Sequence, residues 1–224
     1  MTTPTPRVEK PLVPQGQKKE VVCLLDTSGS MEWEAAEGSQ VSRWQVVAEA
    51  LPAFVRALES QDSEAAAEQS DGSDEMGGLL IHGFSNIHTE LGDFNSSNIT
   101  RKMQQIRIGG GTTIMPAWEA AQNDFMEEFG DRDLMDRPAL LTLVITDGEA
   151  SDAAQFEKVL ESAKVGRYFA VAIVGHGEDH DRTLRSYQGA ANINPKHVAV
   201  MSFDSVTNPQ ELANDLIVMA GLGE

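Results

Sequence analysis

The chain has 224 residues, enough for one sizeable α/β domain and cramped for two. Its 17 basic residues against 35 acidic ones give a formal net charge of -18, which repels nucleic-acid phosphates and anionic membranes and excludes both as general partners. A hydrophobic fraction of 41% is ordinary for a folded interior, and the single cysteine, Cys23, allows no intrachain disulfide.

Residues 1–19 carry Pro4, Pro6, Pro11 and Pro14 among polar residues and read as a mobile or extended arm, with the domain proper over 20–224. This arm lacks the apolar core of a secretory signal, and no later stretch is long and apolar enough for a membrane span, so the expected location is cytoplasmic. Glu20–Asp26 is a nearly continuous apolar run, as in a parallel strand covered on both faces. Helical spacing follows in Trp44, Val47, Ala48, Leu51, Phe54, Val55 and Leu58, with a kink or restart expected at Pro52. Residues 59–76 are acid-rich and are expected to form a solvated, flexible loop, since their spacing fits no calcium loop.

Gly78–Phe84 reads as a strand, and Thr89–Phe94 as an antiparallel partner at the sheet edge. Asn95–Ile106 reads as a short capped helix, closed by Gly109, Gly110 and Gly111. Met115–Phe129 is a helix with Pro116 in its first turn. The strongest strand, Ala139–Thr146, ends at Asp147-Gly148. Then come a helix over 151–164, a strand over 167–174, a helix over 182–190, a strand over 197–201 and a helix over 209–220. Such alternation implies an α/β fold with a doubly wound, mostly parallel sheet and one antiparallel edge strand. Right-handed crossovers bring the strands' C-terminal loops to one shared edge, where ligands bind.

Three segments should meet at that edge: Asp26-Thr27-Ser28-Gly29-Ser30, Gly111-Thr112-Thr113, and Thr146-Asp147-Gly148. They offer carboxylate and hydroxyl oxygens without histidine or thiolate, which selects a hard cation such as Mg2+ or Mn2+. Residues two apart in an extended turn can aim side chains to one side, so Ser28 and Ser30 can ligate directly and Asp26 directly or through a water. Thr112 approaches from the glycine loop, with Thr113 as the adjacent alternative, and Asp147 completes the outer ring. Singly, each segment also fits a turn or a helix cap. Together and in this order they point to a metal site.

The combination of DTSGS at 26–30, GGGTT at 109–113 and VITDGE at 144–149 resembles the von Willebrand factor A domain over roughly residues 20–220. The resemblance implies a Rossmann-like fold with an antiparallel edge strand and a metal-ion-dependent adhesion site. Carried over, Asp26, Ser28, Ser30, Thr112 and Asp147 are its metal residues, with one position left for an Asp or Glu of a protein partner. The cytoplasmic setting makes the chain more similar to stand-alone bacterial A domains of chelatase-like, AAA+-associated or tellurium-resistance systems. The implied function is a divalent-metal-dependent protein-interaction module and no enzyme. The alternatives are a scaffold with a structural metal and a metal-dependent phosphohydrolase. The latter is disfavoured because Ser28 stands where those enzymes place a second Asp, and because no histidine lies in the three segments.

Met31–Ser42 is a long connection, in which Glu32 or Glu34 could reach the open metal position, although exposure to solvent is the plainer expectation. His176 and His180 have zinc-like spacing, but the glycine-flanked GHGEDHD reads better as a surface loop. His82 reads as a core or edge histidine. Trp44 and Trp118 read as core, and Trp33 as an aromatic contact beside the metal loop.

Overall fold

Alternation along the strands sets the architecture of the computed structural model, which describes residues 11–14, 16–68, 78–148 and 150–222. The strands are β1 (Lys19–Asp26), β2 (Leu79–Phe84), β3 (His88–Phe94), β4 (Ala139–Thr146), β5 (Arg167–Val174) and β6 (Val198–Phe203). The helices are α1 (Arg43–Glu68), α2 (Ile99–Met103), α3 (Met115–Phe129), α4 (Ala153–Glu161), α5 (Glu178–Ile193) and α6 (Pro209–Ala220). In β1, Val21, Cys23 and Leu25 turn to the core shared with α1 and α6, whereas Val22 and Leu24 turn to the core shared with α3, α4 and α5. β5 divides in the same way, with Tyr168, Ala170, Ala172 and Val174 on one side and Phe169, Val171 and Ile173 on the other. Period-two side chains buried on both faces explain why these strands read as continuous apolar runs.

The six strands lie in the order β3-β2-β1-β4-β5-β6, all parallel except β3, which pairs antiparallel with β2 at the edge. This is the expected Rossmann-like α/β arrangement. The chain leaves β1 toward β2 and β3, then crosses back to β4 on the other side, so strand order reverses between β1 and β4. The loops that follow those two strands therefore diverge and leave a crevice at their C-terminal ends. Register completes the placement: Leu25 lies opposite Ile145, which sets Asp26 beside Thr146.

Several boundaries differ from expectation. α1 is not interrupted at Pro52 and runs through Glu59–Glu68, the first part of the stretch expected to be a loop. Its run of Ala65, Ala66 and Ala67 favours helix strongly. The rest of that acidic stretch, like residues 1–10 of the arm, lies outside the described residues. Within the arm, Val13 is only 4% exposed and joins the core. The helix expected over 95–106 shrinks to α2. Asn95 Oδ1 accepts from the N–H groups of Ser97 and Asn98, and that turn competes with the helix. α5 starts at Glu178 rather than 182, which places His180 in its first turn, 1% exposed, instead of in a surface loop. Among the described residues no helix is long and apolar enough to cross a membrane.

Candidate metal centre

The switch point links Asp26, Ser28, Ser30 and Asp147 in a chain of hydrogen bonds, each to the next. β1 delivers Asp26 fully buried. Its Oδ1 accepts the Ser28 N–H at 2.8 Å, and its Oδ2 accepts the Thr146 hydroxyl at 2.7 Å. After Ser28 the chain tightens into a 3₁₀ turn, Gly29–Glu32, which holds the two serines on one side. Ser28 Oγ and Ser30 Oγ stand 3.1 Å apart, and the Ser30 hydroxyl donates to Asp147 Oδ1 at 2.9 Å. Each hydroxyl has one proton, so Ser28 donates to Ser30 and Ser30 to Asp147.

The glycine loop is tied to the same turn from the far side. Gly29 N–H donates to Gly110 O at 3.0 Å, and Gly109 N–H donates to Thr27 O at 2.9 Å. Gly110 has φ +85, and an added Cβ would stand 3.0 Å from Asn86 Nδ2. Asn86 itself accepts the Gly111 N–H, pinning the loop. Thr112 follows, half-buried, and its hydroxyl has no hydrogen-bond partner among the described residues, whereas the Thr113 hydroxyl meets Ser151 Oγ at 3.2 Å. Thr112 is not needed as a cap for α3 either. Asp152 accepts the N–H groups of Ile114 and Met115 at 2.9 and 2.8 Å and caps that helix from a distance in sequence.

Asp147 is held on its other oxygen by a residue the sequence reading passed over. Arg43, 5% exposed, places Nη1 2.8 Å from Asp147 Oδ2. Its Nε donates to Glu34 O and its Nη2 to His176 O, each at 3.2 Å. Asn86 and Asp152 were missed as well, and Thr146, read only as part of its segment, holds Asp26. Arg43 opens a helix whose other marked residues are apolar, so spacing along α1 gave no sign that its charge points inward.

Burial, and then the charge of Asp147, push the Asp26 carboxyl up to about 7. Two carboxylates close together and out of water favour a bound cation, and Arg43 answers only the outer one. The donors fit a small hard ion. Neighbouring ligands of an octahedral Mg2+ at about 2.1 Å stand about 3 Å apart, and the Ser28–Ser30 and Ser30–Asp147 oxygens are 3.1 and 2.9 Å apart. Among the described residues no three His, Cys, Asp or Glu side chains gather as an ion site, so hydroxyls make up most of this donor set. The exposed Glu34 turns away from it. Glu34 Oε2 accepts the Gly38 N–H, and Oε1 stands 3.4 Å from His176 Nε2.

The von Willebrand factor type A domain model matches residues 20–213. The chain belongs to that family. Among solved structures it is similar to the manganese-loaded TRAP protein of Plasmodium vivax, at 18% identity and TM-score 0.58, over 90% of this chain and 72% of that one. It is similar to the SpRpn10 VWA domain at 12% identity and TM-score 0.61, over 93% and 100% of the two chains. It also resembles the PilB minor pilin of Streptococcus sanguinis at 13% identity and TM-score 0.58, where it covers 91% of itself but 61% of the pilin. No curated protein matches the chain. Likenesses at these identities establish the fold. VWA domains are generally protein-interaction modules, and some depend on a metal.

Proposed function

We propose that this A domain binds a protein partner through a divalent cation, Mg2+ or Mn2+, held by Asp26, Ser28, Ser30, Thr112 and Asp147. The observation that carries the reading is the run of Ser28, Ser30 and Asp147 oxygens about 3 Å apart, beside the buried Asp26 carboxylate at the sheet's switch. In this reading Ser28, Ser30 and Thr112 supply hydroxyl oxygens, and Asp26 and Asp147 hold the ion and its waters. Neutral donors leave much of a divalent charge unanswered, so an Asp or Glu of the partner adds a favourable contact. A manganese-loaded relative in fold supports the choice of ion. The surroundings suit a partner of protein chemistry, because Trp33 and Ile87 are 59% and 67% exposed on the loops around the cradle. We place the module in the cytoplasm, akin to stand-alone bacterial A domains, and assign it no enzymatic role.

A second reading has an observation of its own. Arg43 already sets a positive charge against Asp147, so the domain could serve as a scaffold whose partner contacts need no bridging ion. Affinity capture with the full chain as bait separates the two, run with Mg2+, with EDTA, and with Asp26→Ala. The bridging reading predicts a partner held only by the wild-type chain with Mg2+. Equal retention in all three arms would contradict it and favour the scaffold.

A further inference from the structure

Next to the cradle lies a cavity of about 660 Å³, lined by Trp33, Glu34, His176, Glu178, Asp179 and His180, with Arg43 as the wall it shares with the cradle. Arg43 brings no free charge to it, since its guanidinium is spent on Asp147 and on the carbonyls of Glu34 and His176. The charges left on the wall are carboxylates. Among the described residues the Glu178 side chain makes no hydrogen bond or ion pair, and the Asp179 side chain has only a 3.4 Å contact with the exposed Arg182. Among the same residues the Glu34 side chain, 43% exposed, meets only the Gly38 N–H and, at 3.4 Å, His176 Nε2.

Two further features point to a ligand. His180 is 1% exposed, and although Nε2 meets Ser202 Oγ at 3.1 Å, Nδ1 has no hydrogen-bond partner among the described residues and lies 3.5 Å from Asp181. Trp33 is 59% exposed at the rim, with the Arg43 guanidinium 5.4 Å from its ring centre. Its open surface can take a second cation. The N-terminus of α5 opposes this by favouring anions, but Glu178, Asp179 and Asp181 in the first turn already answer that dipole.

We propose that this cavity is a second recognition subsite that takes a basic side chain, arginine or lysine, from the same partner whose carboxylate the cradle receives. The shared partner rests on the reading under Proposed function, and the affinity for a cation does not. A single partly exposed ion pair binds weakly. Tethered to a carboxylate held at the cradle, it gains from the effective concentration of an intramolecular contact.

The test is an NMR titration of the full chain with N-acetyl-argininamide in EDTA. Saturable shifts are expected at the Trp33 indole and at the backbone amides of 177–180. They should weaken at least about fivefold in Glu34→Gln/Glu178→Gln, whose native spectral dispersion checks the fold. Absence of saturable shifts there, equal affinity in the double variant, or tighter binding of N-acetyl-aspartamide at the same residues would overturn the proposal.

A second arm uses capped peptides carrying one Asp and one Arg, against versions with norleucine for Arg, in Mg2+ and in EDTA. The proposal predicts that norleucine weakens Mg2+-dependent binding by about tenfold. A change below about twofold sinks the subsite while leaving the metal reading intact. Saturable argininamide binding with no gain from Mg2+ for the Asp peptide supports the cation subsite and sinks the metal reading instead.

Discussion

Arg43 is the residue on which the site's geometry turns. Its guanidinium lies against the Trp33 ring, ties the Met31–Ser42 connection to the ends of β4 and β5, and is pressed close to Gly175. Breaking a buried ion pair from one side strands the other charge, which costs about 3–5 kcal/mol. Arg43→Met is therefore expected to lower the urea midpoint by a corresponding amount. Mg2+ should recover part of the loss, because the ion supplies positive charge beside Asp147. Gly175 has φ +90, and an added Cβ would stand 2.2 Å from Arg43 Nε. Gly175→Ala is expected to lose about 1–3 kcal/mol in the same assay, through strain and displacement of the guanidinium. The five proposed metal residues were legible as a pattern because DTSGS and TDG close β1 and β4, and GGGTT lies just before α3. Arg43 was not, because an arginine at a helix start reads as solvated until the fold closes over it.

At the scale of elements, Asp152 couples two helices by capping α3 from the N-cap position of α4. Asp152→Ala should cost about 1–2 kcal/mol by denaturation. It should also weaken Mg2+ binding several-fold by calorimetry, because the chain before α3 carries Thr112. β2 carries a second coupling. His82 is fully buried, with Nδ1 2.9 Å from His88 Nε2 and Nε2 3.2 Å from Asp124. Burial lowers its pKa from 6.5, His88 reinforces this, and Asp124 and Glu90 oppose it. The native state thus excludes a proton that the unfolded chain takes up. Stability is intact above about 6.5 and falls as the pH drops below it. Urea midpoints between about pH 8 and 5 should decline more steeply for wild type than for His82→Gln, and parallel profiles would remove His82 as the cause.

Elements written in apolar residues were legible, and those written in polar ones were not. The buried stripe of α5 begins with His180 and Thr183 before reaching Tyr187, Ala190 and Ala191, so its first turn carried no apolar period to read. The sheet was plain because β1, β4 and β5 are apolar on both faces.

At the scale of the molecule, a formal charge of -18 surrounds a crevice lined by carboxylates and hydroxyls. The field draws divalent ions inward, so affinity for Mg2+ should fall several-fold as NaCl rises from about 0.05 to 0.5 M. Sheet order supplies the rest, by parting the chain between β1 and β4 where Asp26 and Asp147 emerge. The most direct measurement of the central claim is calorimetric titration of the metal-free chain with Mn2+ and Mg2+. One equivalent is expected to bind the wild type, with affinity reduced at least about tenfold in Asp26→Ala and in Ser28→Ala/Ser30→Ala while cooperative unfolding is kept. No binding at millimolar ion, or equal binding by the wild type and both variants, would contradict the account.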